Sequence, residues 1–288
     1  MKLLVIGDLH GQKPKIYFKE FDAIIAPGDF CSDAPRRYMF EALRKRLADS
    51  DYKGDWVDIV GKRKAKPMIK KSLEDGKNIL EFLNSFGKPV FTVPGNWDWT
   101  GGMDEEWDYL KTNYYKTHLI KDLKNIKDVY HRIRSWNGFD FIGHGITSGP
   151  EYPQYKQDLD RHDEKELKKI KAKSEGLERK VSSLFDRSKN PVIYLSHNVP
   201  FKTSLDKIDN KESPRDGDHF GSTVSKNIIQ KYQPLLCIGG HMHEHFGKTK
   251  IGRTTVINAG FGRYVNTLID LDEEKGRIRR ITFEKRSK

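Results

Sequence analysis

The sequence contains only two cysteines, Cys31 and Cys237, and no long apolar segment. Two widely separated cysteines do not make the spaced framework of a disulfide-stabilised domain, so we expect both to be reduced, and at least partly buried, in a cytoplasmic protein. No apolar run approaches the about 18 residues that a membrane span requires. The N-terminal segment MKLLVIGDLHG reaches Gly-Asp after a short apolar run without a cleavage-like site, so it predicts a first strand and not a signal peptide.

Acidic residues are outnumbered in this chain. Asp and Glu together count 41 against 53 Lys and Arg, which gives a formal net charge of +12. That balance suits an anionic partner such as a phosphate ester or a nucleic acid, although many lysines are expected simply to solvate exposed helices. With 288 residues, 36% of them hydrophobic, the chain can bury a core, and we expect a single domain over 1–288.

Short apolar runs alternate with helical patterns along the chain. Buried strands are predicted at 2–7, 22–28, 89–95, 191–196 and 234–240, and later strands near 254–258, 265–271 and 277–284. Two strands at 127–134 and 138–143 are predicted to pair through the turn Asn137-Gly138. Helices are predicted at 35–48, 69–83, 158–187 and 222–232, with 51–66 as a polar insertion. This alternation predicts an α/β fold with helices outside a sheet layer, and helical insertions at 35–87 and 150–190.

Most of the predicted apolar strands are followed by polar residues of a kind that can bind metal. Ligand sites in open α/β sheets gather at the carboxyl ends of the strands, so these side chains are expected to share one site. Carboxylate, imidazole and amide groups without a thiolate suit divalent Mn, Fe, Zn or Mg. The seven candidates are Asp8, His10, Asp29, Asn96, His197, His241 and His243.

The order of these motifs resembles that of the calcineurin-like metallophosphoesterases. GDLHG, PGDF, PGNWDW, LSHNVP and GGHMHE follow the family pattern D-x-H, G-D, G-N-H-D/E, a lone His and G-H-x-H over about residues 1–245. The resemblance implies a four-layer sandwich of two mixed β-sheets flanked by α-helices. It also implies two divalent metal ions, Mn²⁺ favoured, that share Asp29. One ion would be held by Asp8, His10 and His243, and the other by Asn96, His197 and His241, with a hydroxide bridging the metals as nucleophile.

The motif PGNWDW departs from the family at Trp97, which stands where many members carry a histidine that contacts the phosphoryl oxygens or protonates the leaving group. An indole has one N–H donor and no proton that titrates near neutral pH. Asp98, which in the family orients that histidine, thereby loses its usual partner. Three interpretations follow: an enzyme restricted to activated or diester substrates, a metal-binding scaffold with little activity, or tryptophans that stack on a substrate base. Packing of Trp97 and Trp99 within the loop is the structural alternative.

Other residues are candidates for the missing chemistry. His219, just before a helix whose N-terminus suits a phosphate, and His144, which follows a strand, are candidate proton donors. Trp97 and Arg263 are candidate substrate contacts. We expect a metal-dependent phosphodiesterase acting on nucleotide-like or small-molecule esters, in preference to a phosphomonoesterase. A nuclease of the same superfamily, supported by the net charge, the lysine-rich segment 61–71 and exposed tryptophans, and a weakly active scaffold are the alternatives.

Overall fold

The computed structural model of the protein describes residues 1–49, 51–100, 112–211, 213 and 215–286. The strands of these residues form two six-stranded mixed sheets. In spatial order, the first sheet consists of β12 (Arg277–Lys285), β11 (Val265–Asp272), β1 (Lys2–Val5), β2 (Ala23–Ala26), β3 (Val90–Thr92) and β4 (Ile126–Asp128). The second consists of β5 (Ile133–Trp136), β6 (Phe139–His144), β7 (Val192–Asn198), β8 (Leu236–Gly240), β10 (Thr254–Asn258) and β9 (Gly247–Ile251).

Each sheet has a parallel centre and antiparallel edges. Strands β1 to β4 are parallel, and β11 and β12 add to them as antiparallel neighbours. In the second sheet β6, β7, β8 and β10 are parallel, while β5 and β9 are antiparallel edges. The carboxyl ends of the parallel strands therefore lie along one edge of each sheet, which is where the candidate ligands follow in sequence.

Alternating side chains on the strands divide the molecule into four layers. Leu3 and Val5 of β1 belong to the cluster between the two sheets, whereas Leu4 faces the helices on the outer side. Phe91 of the first sheet and Phe141 of the second stack with ring centroids 3.7 Å apart. This contact joins the two sheets at the centre of the sandwich.

Helices cover the outer face of each sheet. The first sheet carries α1 (Arg36–Ala48), α2 (Trp56–Val60) and α3 (Lys62–Asn84), of which α2 and α3 bury Trp56, Leu80 and Leu83 against it. The second sheet carries α5 (Glu164–Phe185) and α6 (Thr223–Tyr232), which bury Val181 and Ile228 against it. The short helix α4 (Lys156–Leu159) precedes them in the chain and has no buried residue. The predicted α/β sandwich is thus confirmed, and the single-domain organisation with insertions stays a prediction. No helix of the described residues has both the length and the apolar character that crossing a membrane would need.

Several predicted boundaries are wrong. The polar segment 51–66 contains α2 and the start of α3, because Asp55 provides a capping box with Asp58. The segment 127–134 is two strands, β4 and β5, that belong to different sheets. The helix predicted at 158–187 begins only at Glu164, where Asp163 caps it, and it continues through Gly176 without a break.

Candidate metal centre

Most candidate ligands lie on loops just beyond the carboxyl ends of strands, while His197 is the last residue but one of β7. His10, Asp29 and His241 have left-handed backbone conformations with φ of 44°, 56° and 66°. Non-glycine residues rarely adopt this region, and such outliers concentrate where the surrounding structure imposes them at functional sites. The turns after β1, β2 and β8 therefore hold these side chains in place at a conformational cost.

Two glycines allow the loops to approach each other. A Cβ atom on Gly95 would lie 2.1 Å from Oδ1 of Asp29, and one on Gly240 would lie 2.7 Å from both carboxylate oxygens of Asp8. Only glycine fits at such distances. The strand-end glycines are thus required for the carboxylates to lie inside the cluster.

One group of side chains surrounds His10. Its Nε2 lies 3.1 Å from Nε2 of His243 and 3.5 Å from Oδ2 of Asp29. Nε2 of His243 lies 3.5 Å from Oδ2 of Asp8. These four side chains, contributed by the ends of β1, β2 and β8, surround one small space.

A second group surrounds Asn96. Its Oδ1 lies 2.8 Å from Nε2 of His197 and 3.0 Å from Nδ1 of His241. Nε2 of His197 is also 3.6 Å from Oδ2 of Asp29. Ligand atoms of Asp29, His197 and His241 all lie within 4.8 Å of one another, a spacing that could hold a metal ion. Oδ2 of Asp29 is therefore adjacent to both groups.

Backbone carbonyls fix the tautomers of two of these histidines. Nδ1 of His197 lies 2.9 Å from the carbonyl of Pro27, and Nε2 of His241 lies 3.1 Å from the carbonyl of Ser148. A carbonyl only accepts, so each of these nitrogens carries the hydrogen. Nε2 of His197 and Nδ1 of His241 are then unprotonated, and their lone pairs point toward Asn96. This is the form in which a histidine binds a metal.

Burial shifts the pKa values of the candidate ligands toward their neutral forms. Burial lowers the pKa of His10 and His197 well below the usual value, and lowers the pKa of His241 and His243 to about 4. Burial raises the pKa of Asp8 to about 8. Burial, together with the charge of Asp8, also raises the pKa of Asp29.

A buried acceptor without a donor fits a cation. Among the described residues, Oδ1 of Asp8 is a buried acceptor without a hydrogen-bond partner. Neutral imidazoles, two carboxylates and an amide oxygen suit a borderline or hard divalent ion. A bound cation would also lower the pKa values of the two carboxyl groups. The residues present therefore fit the metal ions that the sequence predicts.

Asp98 has other partners in place of a histidine. Its carboxylate accepts backbone N–H groups of Asp29 and Gly95 at Oδ2, at 2.9 and 2.7 Å, and of Phe30 and Cys31 at Oδ1, at 2.8 and 3.1 Å. Asp98 thus lacks its usual histidine partner, and backbone N–H groups take the place of that histidine. Asp98 fastens the loop that carries Asp29 to the loop that carries Asn96.

Both tryptophans of PGNWDW are buried, so the expectation of exposed indoles is wrong. Trp99 is fully buried and donates from Nε1 to the hydroxyl of Ser72 on α3 at 2.8 Å. Trp97 is 8% exposed, and its ring meets the edge of His10 at a centroid distance of 6.2 Å. Its backbone N–H donates to Oδ1 of Asp29 at 2.9 Å. The indoles thus pack the loop against the core, and Trp97 covers the side of the site next to His10.

The remaining candidates have different environments. His144 is buried, with its ring nitrogens 3.2 Å from His131 and 3.1 Å from Glu151. His219 contacts Asp206 through Nδ1 at 2.8 Å and keeps 32% of its side chain exposed. Arg263 hydrogen-bonds Gln12, two residues beyond His10. The N-terminus of α6 is occupied by the carboxylate of Glu151, so its predicted role as a phosphate partner is wrong.

The sequence patterns missed four contributors to the site. The carbonyls of Pro27 and Ser148 orient histidines but carry no side-chain signal. Glu151 lies in a loop without a motif, and its contacts appear only in the folded chain. Arg36, at the start of α1, lies close enough to His10 and His243 for its charge to add to burial in lowering their pKa values. Its position in the sequence, as the first residue of α1, gives no sign of that proximity.

The two sheets bring carboxylates, imidazoles and an amide together at their strand ends. This arrangement is that of a candidate metallohydrolase. The family model of calcineurin-like phosphoesterases matches residues 1–245, so the chain belongs to that family. Membership points to metal-dependent hydrolysis of phosphate esters, and the family generally binds divalent metals.

Individual proteins are similar to this chain in sequence or in fold. The chain is 24% identical over 264 residues to the uncharacterized protein MJ1162 of Methanocaldococcus jannaschii, covering 90% of this chain and 87% of that protein. A solved crystal structure with 17% identity superposes with a TM-score of 0.65 over 99% of each chain. TT1561 of Thermus thermophilus superposes with a TM-score of 0.53 and 15% identity, covering 99% of this chain and 98% of that one.

Proposed function

We propose that this protein is a phosphodiesterase that depends on two divalent metal ions, Mn²⁺ favoured, and acts on nucleotide-like or small-molecule phosphate diesters. The observation that carries the proposal is the position of Asp29. Its Oδ2 lies 3.5 Å from Nε2 of His10 and 3.6 Å from Nε2 of His197, so one carboxylate oxygen borders both groups of acceptors. A shared carboxylate between two ligand sets is the arrangement that a dinuclear centre needs.

The residues that would hold each ion follow from the two groups. Asp8, His10 and His243 would hold one ion and Asn96, His197 and His241 the other, with Asp29 shared. When bound, such a pair of ions supplies the positive charge that activates water and stabilises the oxygens of an in-line displacement at phosphorus. The chain's own contribution is to place neutral imidazoles and buried carboxylates around both positions.

Preference for diesters is supported by Trp97. Hydrolysis of either ester releases an alcohol, but a monoester near neutral pH carries one more negative charge on its phosphoryl oxygens than a diester does, so it depends more on a proton from a side chain at those oxygens. Trp97 cannot provide that proton, because an indole does not titrate near neutral pH. Activated or diester substrates therefore suit this site better than unactivated monoesters.

His219 is our candidate for the proton donor. Asp206, whose carboxylate accepts the N–H groups of Thr203 and Gly221, fixes the His219 ring through Nδ1. The neighbouring Phe220 carbonyl accepts a hydrogen bond from Asn198, the residue after His197, which ties this loop to the site. His144 is less suited, because its ring is buried between His131 and Glu151.

The test is a paired assay on metal-free protein reloaded with Mn²⁺. Bis-p-nitrophenyl phosphate and p-nitrophenyl phosphate are compared for the wild type, Asp29→Ala and Asn96→Ala. Asp140→Asn is the control, because Asp140 is an equally buried carboxylate that accepts hydrogen bonds from Ser135, Ser188 and Asn190 instead. We expect Mn²⁺-dependent cleavage of the diester in the wild type and the control, and none in the two site variants. Two bound metals without turnover of either ester would favour the scaffold instead.

A nuclease is a second candidate, favoured by the exposed basic stretch at the start of α3. Lys62, Arg63, Lys64 and Lys66 are all exposed there. Cleavage of single-stranded nucleic acid, with affinity that falls steeply with salt, would support it. The tryptophans no longer support a nuclease, because both are buried.

A further inference from the structure

The loop at 145–151, between β6 and α4, is anchored by a buried carboxylate. Glu151 has 7% of its side chain exposed and accepts the N–H groups of Thr223 and Val224, at 2.8 and 3.1 Å, at the start of α6. Ser222 and His144 also donate to it. Burial alone would raise the pKa of Glu151, but the hydrogen bonds from His144, Ser222 and Val224 lower it to about 2. Glu151 is therefore a fully paired anion at neutral pH.

The same loop reaches the candidate metal centre at two points. The Ser148 carbonyl accepts the Nε2–H of His241 at 3.1 Å. The Ile146 N–H donates to the carbonyl of Pro94, two residues before Asn96, at 3.0 Å. The loop thus contacts His241 directly and also contacts the segment that carries Asn96.

The backbone of the loop is strained between these contacts. Ile146 has a φ of 62°, a conformation that a β-branched residue very rarely adopts. Such an outlier persists where surrounding contacts impose it, and these outliers concentrate at sites with a function. The contacts that impose it here are the hydrogen bond from the N–H of Ile146 itself to the Pro94 carbonyl and the Glu151 anchor five residues later.

From these contacts we infer that Glu151 is a positioning residue for His241, acting through the carbonyl of Ser148. The inference rests on the proposed metal centre. By fixing the loop, Glu151 keeps the Ser148 carbonyl under Nε2 of His241, which leaves the lone pair of Nδ1 directed at Asn96 and the metal position. His144, which donates to Glu151, belongs to this anchor and not to the proton transfer. Partners of this kind, behind a metal-ligating histidine, typically change metal affinity by about 10–100-fold when they are lost.

The first experiment reads the tautomer of His241 without any metal. Metal-free protein with ¹⁵N-labelled histidine is compared, by long-range ¹H–¹⁵N correlation, as wild type and Glu151→Gln, and a His241→Gln spectrum assigns the signal. We expect a single Nε2–H tautomer in the wild type. In Glu151→Gln we expect a mixture of tautomers, because an amide cannot accept all the donors around it and the loop is released. If that variant does not fold, Thr147→Val replaces it, since it removes the Thr147 hydrogen bonds to Gly149 and Glu151 at nearly constant volume.

The second experiment measures Mn²⁺ affinity in the same proteins, with Asp140→Asn as a matched control. Asp140→Asn also removes a buried carboxylate, near the start of β6 and so at the end of that strand opposite to His144, and it should leave Mn²⁺ affinity unchanged. Glu151→Gln should bind one Mn²⁺ equivalent roughly 10–100-fold more weakly than wild type. When the Glu151→Gln substitution is combined with His241→Ala, Mn²⁺ affinity should fall no further than in His241→Ala alone. An unchanged tautomer and unchanged affinity, with a thermal destabilisation like that of Asp140→Asn, would overturn the inference. Failure of the wild type to bind metal would refute the proposed function, while the tautomer comparison would still decide the role of Glu151.

Discussion

Replacing Asp98 by asparagine tests whether this residue supports the site through the backbone. The four N–H groups of Asp29, Phe30, Cys31 and Gly95 point at its two oxygens in pairs. In either orientation the amide of Asp98→Asn turns its NH₂ group toward two of these donors. Each buried N–H left without an acceptor costs on the order of 1–3 kcal/mol, so we expect a loss of about 2–6 kcal/mol. For a chain of this size that lowers the Tm by roughly 5–20 °C.

The assay is thermal unfolding of Asp98→Asn with and without Mn²⁺, next to wild type. The loss should be larger in the presence of Mn²⁺, because in metal-free protein the substitution also removes a negative charge that raises the pKa of the Asp29 carboxyl. The surface variant Asp186→Asn, which touches only the hydroxyl of Tyr232 among the hydrogen bonds described, serves as a control and should leave the Tm nearly unchanged. A Tm of Asp98→Asn within about 1 °C of wild type would refute the reasoning, since four donors cannot lose two acceptors without cost.

Other predictions concern protons and substrate choice. Mn²⁺ binding at pH 7 should release protons, because the Asp8 carboxyl, with a pKa of about 8, must ionise to bind the ion. Calorimetry in two buffers of different ionisation enthalpy measures the number of protons released. A binding heat that is the same in both buffers would contradict the prediction. Trp97→His should raise monoester turnover relative to diester turnover by on the order of tenfold or more, whereas Trp97→Phe should not; equal ratios in both would contradict the assignment. His219→Gln should slow diester cleavage, whereas His162→Gln, at a partly exposed histidine that contacts Glu166 instead, should not. Unaltered turnover of His219→Gln would remove His219 as proton donor. The pKa of Glu151 is lower in the folded protein than in the unfolded chain, so the stability that its ionised form adds is present above about pH 4.5 and is lost as the pH falls toward 2. The difference in Tm between wild type and Glu151→Gln should therefore narrow as the pH falls over that range. A constant difference in Tm would contradict this prediction.

The order of strands and their polar ends could be predicted from the sequence. Apolar runs such as LLVI and AIIA are buried on both faces of a parallel strand, so they carry a clear signal. The edge strand β9 carries no such signal: it reads Gly-Lys-Thr-Lys-Ile with its lysines exposed, and the sequence analysis does not predict it. The turn Asn137-Gly138 was predicted correctly, and both residues have positive φ.

The interior of the site was less accessible to prediction. Residue type indicates that Asp98 and Glu151 can accept hydrogen bonds, but not which backbone N–H groups the fold brings to them. The tryptophans illustrate the same limit: the sequence leaves exposure and packing within the loop both open, and only the fold shows that Ser72 of α3 gives Trp99 a buried partner 27 positions away. Contacts of this kind depend on tertiary packing, which local pattern does not encode.

The most direct test of the dinuclear proposal is anomalous diffraction from crystals soaked in Mn²⁺. The arrangement of His10 and His197 on either side of Asp29 predicts two manganese peaks, roughly 3.5–4 Å apart, with an oxygen of Asp29 between them. A single peak bordered only by Asn96, His197 and His241, or no peak within reach of Asp29, would contradict a shared carboxylate and with it the proposed two-metal phosphodiesterase.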